Sequence, residues 1–163
     1  MTTKTAKIGF GGGCHWCTEA VFQAVKGVEK VEQGYIASKG AASSFSEAVI
    51  VHYLPKKGFL KHLLEVHINT HNATSNHSFR EKYRSAVYFF TSEEEKEAKM
   101  ALLELQKGFS ERIITQVLPF EEFKPSREAI QDYYRKNPDA PFCQRYIEPK
   151  LKLLQERFQK EQK

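Results

Sequence analysis

The chain is poor in cysteine. Three cysteines in 163 residues exclude the dense, even-numbered disulfide framework of a small secreted protein and point to a reducing compartment. Nor does any stretch approach the ~18 consecutive apolar residues that a membrane span needs. Met1 to Lys7 carry no apolar signal-like core, so the expected location is the cytoplasm, with no membrane partner. A patch of one charge sign is missing too. The net charge is +5, but bases alternate with acids, as in Glu93-Glu94-Glu95-Lys96-Glu97-Ala98-Lys99, and only the tail from Lys150 to Lys163 leans basic. That pattern is a solvated helix face, and no nucleic-acid partner is expected. With no second C-x-x-C, Cys14 and Cys17 together with His62, His67, His71 and His77 do not complete a zinc site, and no bound metal or cofactor is expected. The 40% hydrophobic content suffices for one core, so residues 1–163 are read as a single domain.

What is present is a thiol in a special place. Gly11-Gly12-Gly13-Cys14-His15-Trp16-Cys17 follows the short apolar run Ile8 to Phe10, which reads as a strand turning sharply into a helix. Glycines permit the bend, and a helix starting near His15 or Trp16 aims unpaired N–H groups and positive dipole at the Cys14 sulfur. Such a setting lowers a thiol pKa and produces the nucleophilic thiolate. Read alone, Cys14 is also compatible with an inert buried thiol.

Along the chain, strands and helices alternate. Cys17, Val21, Ala24 and Val25 recur at helical spacing before Gly27, Val28 to Ile36 reads as a strand, and Ala37 to Ser44 as a loop. In the next strand, Phe45 to Tyr53, period two puts Glu47, Val49, Val51 and Tyr53 on one face. A carboxyl among those apolar neighbours favours its protonated form if buried, as a general acid needs. A helix around Leu60, Leu63, Leu64 and His67 leads to a polar segment over Asn69 to Ser78, and Ser85 to Phe90 is a strand. Ser92, with Glu95 three residues on, opens a helix that Gly108 closes. Ile113 to Leu118 is a strand ended by Pro119, Ser126 caps a short helix carrying Ile130, Tyr133 and Tyr134, and Pro149 opens the last helix. The order β-α-β-β-α-β predicts an α+β two-layer sandwich with a ferredoxin-like (split βαβ) core and extra C-terminal helices.

The stretches Gly-Gly-Cys14-His15-Trp16-Cys17-x-Glu19-Ala20-x-Phe22, Gly27-Val28, Gly34-Tyr35, Ser46-Glu47-Ala48-Val49, Tyr83-Arg84-Ser85-Ala86-Val87-Tyr88, Gln131-Asp132-Tyr133-Tyr134 and Asn137-Pro138 leading to Cys143 together resemble the A-type peptide methionine sulfoxide reductases, in the family's order from about Ile8 to Leu153. The resemblance implies reduction of methionine S-sulfoxide, free or in peptides. Cys14 then corresponds to the attacking cysteine that becomes a sulfenic acid, Glu47 to the catalytic acid, Tyr83 to an oxygen-binding tyrosine and Trp16 to the wall around the substrate methyl. Cys143 corresponds to a resolving cysteine, delivered by a flexible segment after Pro138 and Pro141, with Cys17 or an external thiol as alternatives. Thioredoxin or another dithiol is the expected reductant.

The chain departs from the family pattern at several points. His15 stands where phenylalanine is usual in the methyl-binding wall, and the loop before Glu47 is short, with Phe45 but no second oxygen-binding tyrosine. Ser78 replaces an aspartate, and Arg127 and Ile130 replace a glutamate and a histidine. These changes leave open a different oxidised substrate. A thiol–disulfide oxidoreductase using Cys14 and Cys17 is the rival activity, since C-x-x-C at a helix N-terminus is its signature as well.

Overall fold

The computed structural model describes residues 5–71, 73–75 and 82–158; His77 and Ser78 lie outside them. Six strands form one sheet in the order β5-β4-β1-β3-β2-β6. They are β1 (Ala6–Gly11), β2 (Val28–Ala37), β3 (Ser46–Tyr53), β4 (Ala86–Phe89), β5 (Gln116–Pro119) and β6 (Glu122–Pro125). Between them run α1 (His15–Gln23), α2 (Phe59–Thr70) and α3 (Ser92–Gln106), and after them α4 (Tyr133–Lys136) and α5 (Glu148–Arg157). The four central strands interleave two crossovers: β1 and β2 are separated by the antiparallel β3, and β3 and β4 by the antiparallel β1. This is the split βαβ arrangement that the element order implied.

The hydrophobic pattern explains the layers. On one face Ile8, Phe10, Val49, Val51 and Val87 pack against Val21 and Phe22 of α1, Leu60, Leu63 and Leu64 of α2, and Ala98 and Ala101 of α3. Burial of each larger side chain contributes about 1.5–3 kcal/mol. Phe10 stacks on Phe22 with ring centroids 4.6 Å apart, which pins α1 against the strand that feeds it. On the opposite face, Ile36, Ala48, Ile50, Ala86 and Tyr88 are buried with Leu118, Phe120 and Phe123 against them. That second cluster comes from strands and their connections, so the sheet curls over itself on the side the helices leave free.

Local chemistry shifts several boundaries. The α3 cap is Thr91 rather than Ser92: its side chain accepts from the Glu94 N–H, and Glu94 Oε1 accepts in return from the Thr91 and Phe90 N–H groups. Glu94 is preferred to Glu95 because its other oxygen also takes the Tyr53 hydroxyl at 2.8 Å. Helix α3 ends at Gln106, before Gly108, and α2 continues through Asn69 to Thr70, whose side chains both bond back to carbonyls one turn earlier.

The expected strand over Ile113 to Leu118 is shorter and later. It includes Pro119, which is tolerated because β5 is an edge strand. Strand β6, with the sequence Glu-Phe-Lys-Pro, was not foreseen, since its charges conceal any alternation. Ser126 caps no helix; its hydroxyl donates to Gln33 Oε1 at 2.8 Å. Cys143, expected on a segment after Pro138 and Pro141, has helical surroundings. It is fully buried in a π-helical turn, Cys143–Ile147, that runs directly into α5.

Strand β6 reaches β2 only because residue 34 has no side chain. A Cβ on Gly34 would stand 2.2 Å from the Lys124 carbonyl oxygen and 2.8 Å from the Phe123 ring. Gly34→Ala is expected to cost roughly 1–3 kcal/mol, read as a lowered midpoint in thermal unfolding; an unchanged midpoint would disprove so tight a strand contact.

Candidate functional site

The site grows from the turn between β1 and α1. Two of its three glycines are sterically required. A Cβ at Gly11 would meet the carbonyl oxygens of Arg84 and Glu47 at 2.9 and 3.0 Å, and Gly12, at φ +151°, has the His71 ring where a Cβ would be, at 2.5 Å. Around Gly13 the space is open. Beneath this turn, His67 Nε2 lies 2.7 Å from the Gly11 carbonyl, and His71 Nε2 lies 2.8 Å from Ser85 Oγ. These two histidines therefore buttress the loop. No group of three or more His, Cys, Asp or Glu side chains among the described residues could hold a metal ion.

Cys14 is the N-cap of α1, and its carbonyl accepts from the Cys17 and Thr18 N–H groups at 3.1 Å. Its thiol is held below the ordinary thiol range, first by a hydrogen bond from the Cys17 thiol and also by the backbone N–H groups of Trp16 and Cys17. Partial burial and the nearby Glu47 charge oppose this without reversing it. Cys17 shows the complement. Hydrogen bonding to Cys14, then burial, pushes its pKa far up, so it keeps its proton as the donor. Cys143, raised by burial and then by Glu148, packs in the same small apolar cluster as Cys17. All three cysteines are free thiols.

Glu47 comes to the same helix end from β3. It is 7% exposed. Its Oε1 accepts the His15 backbone N–H at 3.2 Å and lies 3.4 Å from His15 Nε2, and its Oε2 lies 3.6 Å from Lys82 Nζ. Carboxyl and thiol thus use neighbouring amides of one helix terminus, where negative charge is favoured.

Tyr83 is delivered by a strap over β3. The Lys82 carbonyl accepts from Glu47 N–H and Ser46 Oγ, both at 2.9 Å, while Arg84 N–H donates to Ser46 Oγ at 2.8 Å. The buried Arg84 guanidinium holds the Ile36 and Ser44 carbonyls at 3.1 and 3.0 Å. Tyr83 is half-buried, and the Lys82 ammonium sits 5.1 Å from its ring centre. Hydrogen bonding to Tyr83, reinforced by the Tyr83 and Glu47 charges, raises the Lys82 pKa.

Of the two residues expected to line the substrate, Trp16 stacks on Tyr133 at 4.3 Å and meets Phe142 edge-on at 5.1 Å. Its Nε1 is buried with no hydrogen-bond partner among the described residues. His15 is 3% exposed and is turned toward Glu47, Gly34 and Tyr35. Sequence reasoning missed Lys82, although it directly precedes Tyr83. It also missed Tyr133, which Glu19 positions: the buried carboxyl takes the Asp132 and Tyr133 N–H groups at 2.9 and 3.3 Å and Gln33 Nε2 at 2.9 Å. Burial raises the Glu19 pKa against those bonds. The departures Phe45, Arg127 and Ile130 share one surface hollow of about 390 Å³ with Tyr35, whose ring stands edge-on to His15 at 5.1 Å. They therefore modify one flank of the site.

Residues 6–163 match the family model described as peptide methionine sulfoxide reductase. The chain belongs to this family. Among its relatives, peptide methionine sulfoxide reductase MsrA 1 of Rhodopirellula baltica is 34% identical, over 90% of this chain and 84% of that protein. Peptide methionine sulfoxide reductase MsrA of Sulfolobus acidocaldarius is 30% identical over 91% and 92%. Among solved structures, Mxr1 from Saccharomyces cerevisiae in an unusual oxidized form superposes with a TM-score of 0.67 at 26% identity, covering 88% of this chain and 89% of that one. Mxr1 in complex with Trx2 gives 0.61 at 22% identity over 82% and 87%, and shares the fold. In this reductase-family chain the thiol is expected to depend on its neighbour. Cys17→Ala should move the midpoint of Cys14 alkylation against pH upward, because the strongest bond to the thiolate is gone; an unmoved midpoint would leave the helix amides alone responsible.

Proposed function

We propose that the protein reduces methionine S-sulfoxide, free or in peptides, with Cys14 as nucleophile and Glu47 as proton donor. The observation that carries this reading is the pairing of a stabilised thiolate and a buried carboxyl on adjacent amides of one helix end. A sulfoxide sulfur is a poor electrophile until its oxygen is protonated or strongly hydrogen-bonded, and Glu47, assisted by Tyr83 and Lys82, faces that need. The thiolate attacks the sulfoxide sulfur. Methionine leaves reduced by two electrons, Cys14 is oxidised by two and carries the oxygen, and one proton ends on that oxygen as a sulfenic acid. Trp16, with Tyr133 and Phe142 behind it, offers an apolar wall for the methyl group.

Resolution follows from the same hydrogen bond. The Cys17 thiol is held protonated by its ionised neighbour; once Cys14 carries oxygen that charge is gone. Cys17 attacks, water leaves, and a Cys14–Cys17 disulfide forms. Cys143, buried beside Cys17, takes the bond over by exchange and frees Cys14. An external thiol then reduces the protein, and thioredoxin is the reductant we propose, supported by the complex of Mxr1 with Trx2. Among the described residues no helix is long and apolar enough to cross a membrane; three free thiols support action in a reducing compartment such as the cytoplasm, and one continuous six-stranded sheet supports reading 1–163 as a single domain. Simple C-x-x-C disulfide exchange, or turnover of another oxidised substrate, is not favoured by relatives named as methionine sulfoxide reductases.

Cys14→Ser is expected to abolish turnover, whereas Cys143→Ser should retain one turnover and lose recycling by thioredoxin; mass-spectrometric thiol mapping after one exposure to stereochemically pure sulfoxide reads both. Glu47→Gln should slow sulfenic acid formation by about 10²–10⁴-fold, and an unchanged single-turnover rate would remove it from the chemistry.

A further inference from the structure

His15 occupies the reactive turn, yet its ring is almost wholly buried and both nitrogens are engaged. Nδ1 lies 2.8 Å from the Gly34 carbonyl oxygen. A carbonyl can only accept, so Nδ1 carries a hydrogen, and in the neutral ring Nε2 is a bare lone pair. That lone pair sits 3.4 Å from Glu47 Oε1, with the two side chains 4% and 8% exposed. Against an ionised carboxylate it would set lone pair against lone pair where water cannot intervene. The contact becomes favourable when one proton lies between the atoms, on the carboxyl or on the ring.

We infer that His15 Nε2 and Glu47 Oε1 share one transferable proton and act as a single acid, with His15 a positioning residue that keeps a proton available at Glu47. The inference rests on the reading of Glu47 as the proton donor and adds the device that keeps it supplied. Delivery to the sulfoxide oxygen leaves the pair without its proton, lone pair facing lone pair, a state relieved by taking one proton from water. The balance is one proton consumed per sulfoxide reduced.

The surrounding groups tune the pair from several elements. Lys82, before β4, lies 3.6 Å from Glu47 Oε2 and opposes proton uptake, and it also contacts Tyr83. The Cys14 thiolate next to His15 favours uptake through its repulsion with the Glu47 charge. From β2, the Tyr35 ring packs edge-on against the imidazole. Burial, the largest influence, lowers the His15 pKa, and the bond to Gly34 and the Glu47 charge partly restore it. The ring is therefore uncharged near neutrality with Glu47 already beside it.

The test is single-turnover release of methionine from methionine S-sulfoxide, read by rapid quench between pH 6 and 10, for the native chain, His15→Phe and His15→Gln. Loss of the shared proton appears as a falling alkaline limb. In both variants that limb should move down by about one pH unit, with about tenfold slower reaction on the limb. Glutamine can hydrogen-bond to both partners but cannot hold the proton, so a native profile in His15→Gln would overturn the inference, as would coincident limbs in all three proteins. Imidazole ¹⁵N NMR on the full chain provides a readout without turnover. His15 should show hydrogen on Nδ1, and its Nε2 should titrate at lower pH in Glu47→Gln than in the native chain; identical titrations would overturn the pairing. Should the native chain release no methionine at any pH, the reductase reading itself fails and this inference with it.

Discussion

The free amides at the start of α1 are the constraint on which the rest of the structure depends. A helix N-terminus presents N–H groups with no partner inside the helix. Here His15 N–H goes to the Glu47 carboxyl, Trp16 N–H faces the Cys14 sulfur, and Cys17 N–H serves both that sulfur and the Cys14 carbonyl. Each bond is modest by itself, about 0.5–3 kcal/mol. Together they hold a thiol and a carboxyl, the proposed nucleophile and proton donor, side by side.

The sheet supplies the register that makes this possible. Gly11 of β1 pairs with Ala48 of β3, so the chain leaving β1 passes directly over Glu47. The close contact is tolerable because Gly11 has no Cβ to strike the Glu47 and Arg84 carbonyls. Gly34 serves on the other side. Its missing side chain admits β6, and its carbonyl fixes the orientation of His15. The Phe10–Phe22 stack and the His67 and His71 buttress keep the turn from relaxing away from this geometry.

Much of this was readable from residue order. The glycine run, the thiol at a helix start and the period-two face bearing Glu47 were visible because each depends on neighbours within a few positions. The split βαβ topology was also visible, since alternating strand and helix patterns admit few right-handed, unknotted connections. Boundaries were missed where a long-range bond chose between near-equal local options. Glu94 displaced Glu95 as the capping partner because Tyr53 reaches it, and Ser126 was drawn from a capping role to Gln33. Strand β6 forms because Gly34 leaves room for it, a fact recorded some ninety residues away.

Residue order alone therefore determined the kind of chemistry, a thiolate at a strand-to-helix turn, because backbone conformation and helix-end electrostatics act over single turns of chain. Tertiary structure decided the partners. It placed Lys82 between Glu47 and Tyr83, buried Cys143 against Cys17, and turned His15 toward the Glu47 carboxyl. Those outcomes follow from packing and hydrogen-bond satisfaction between segments distant in sequence, where the loss of water makes a few ångströms decide which polar groups must pair.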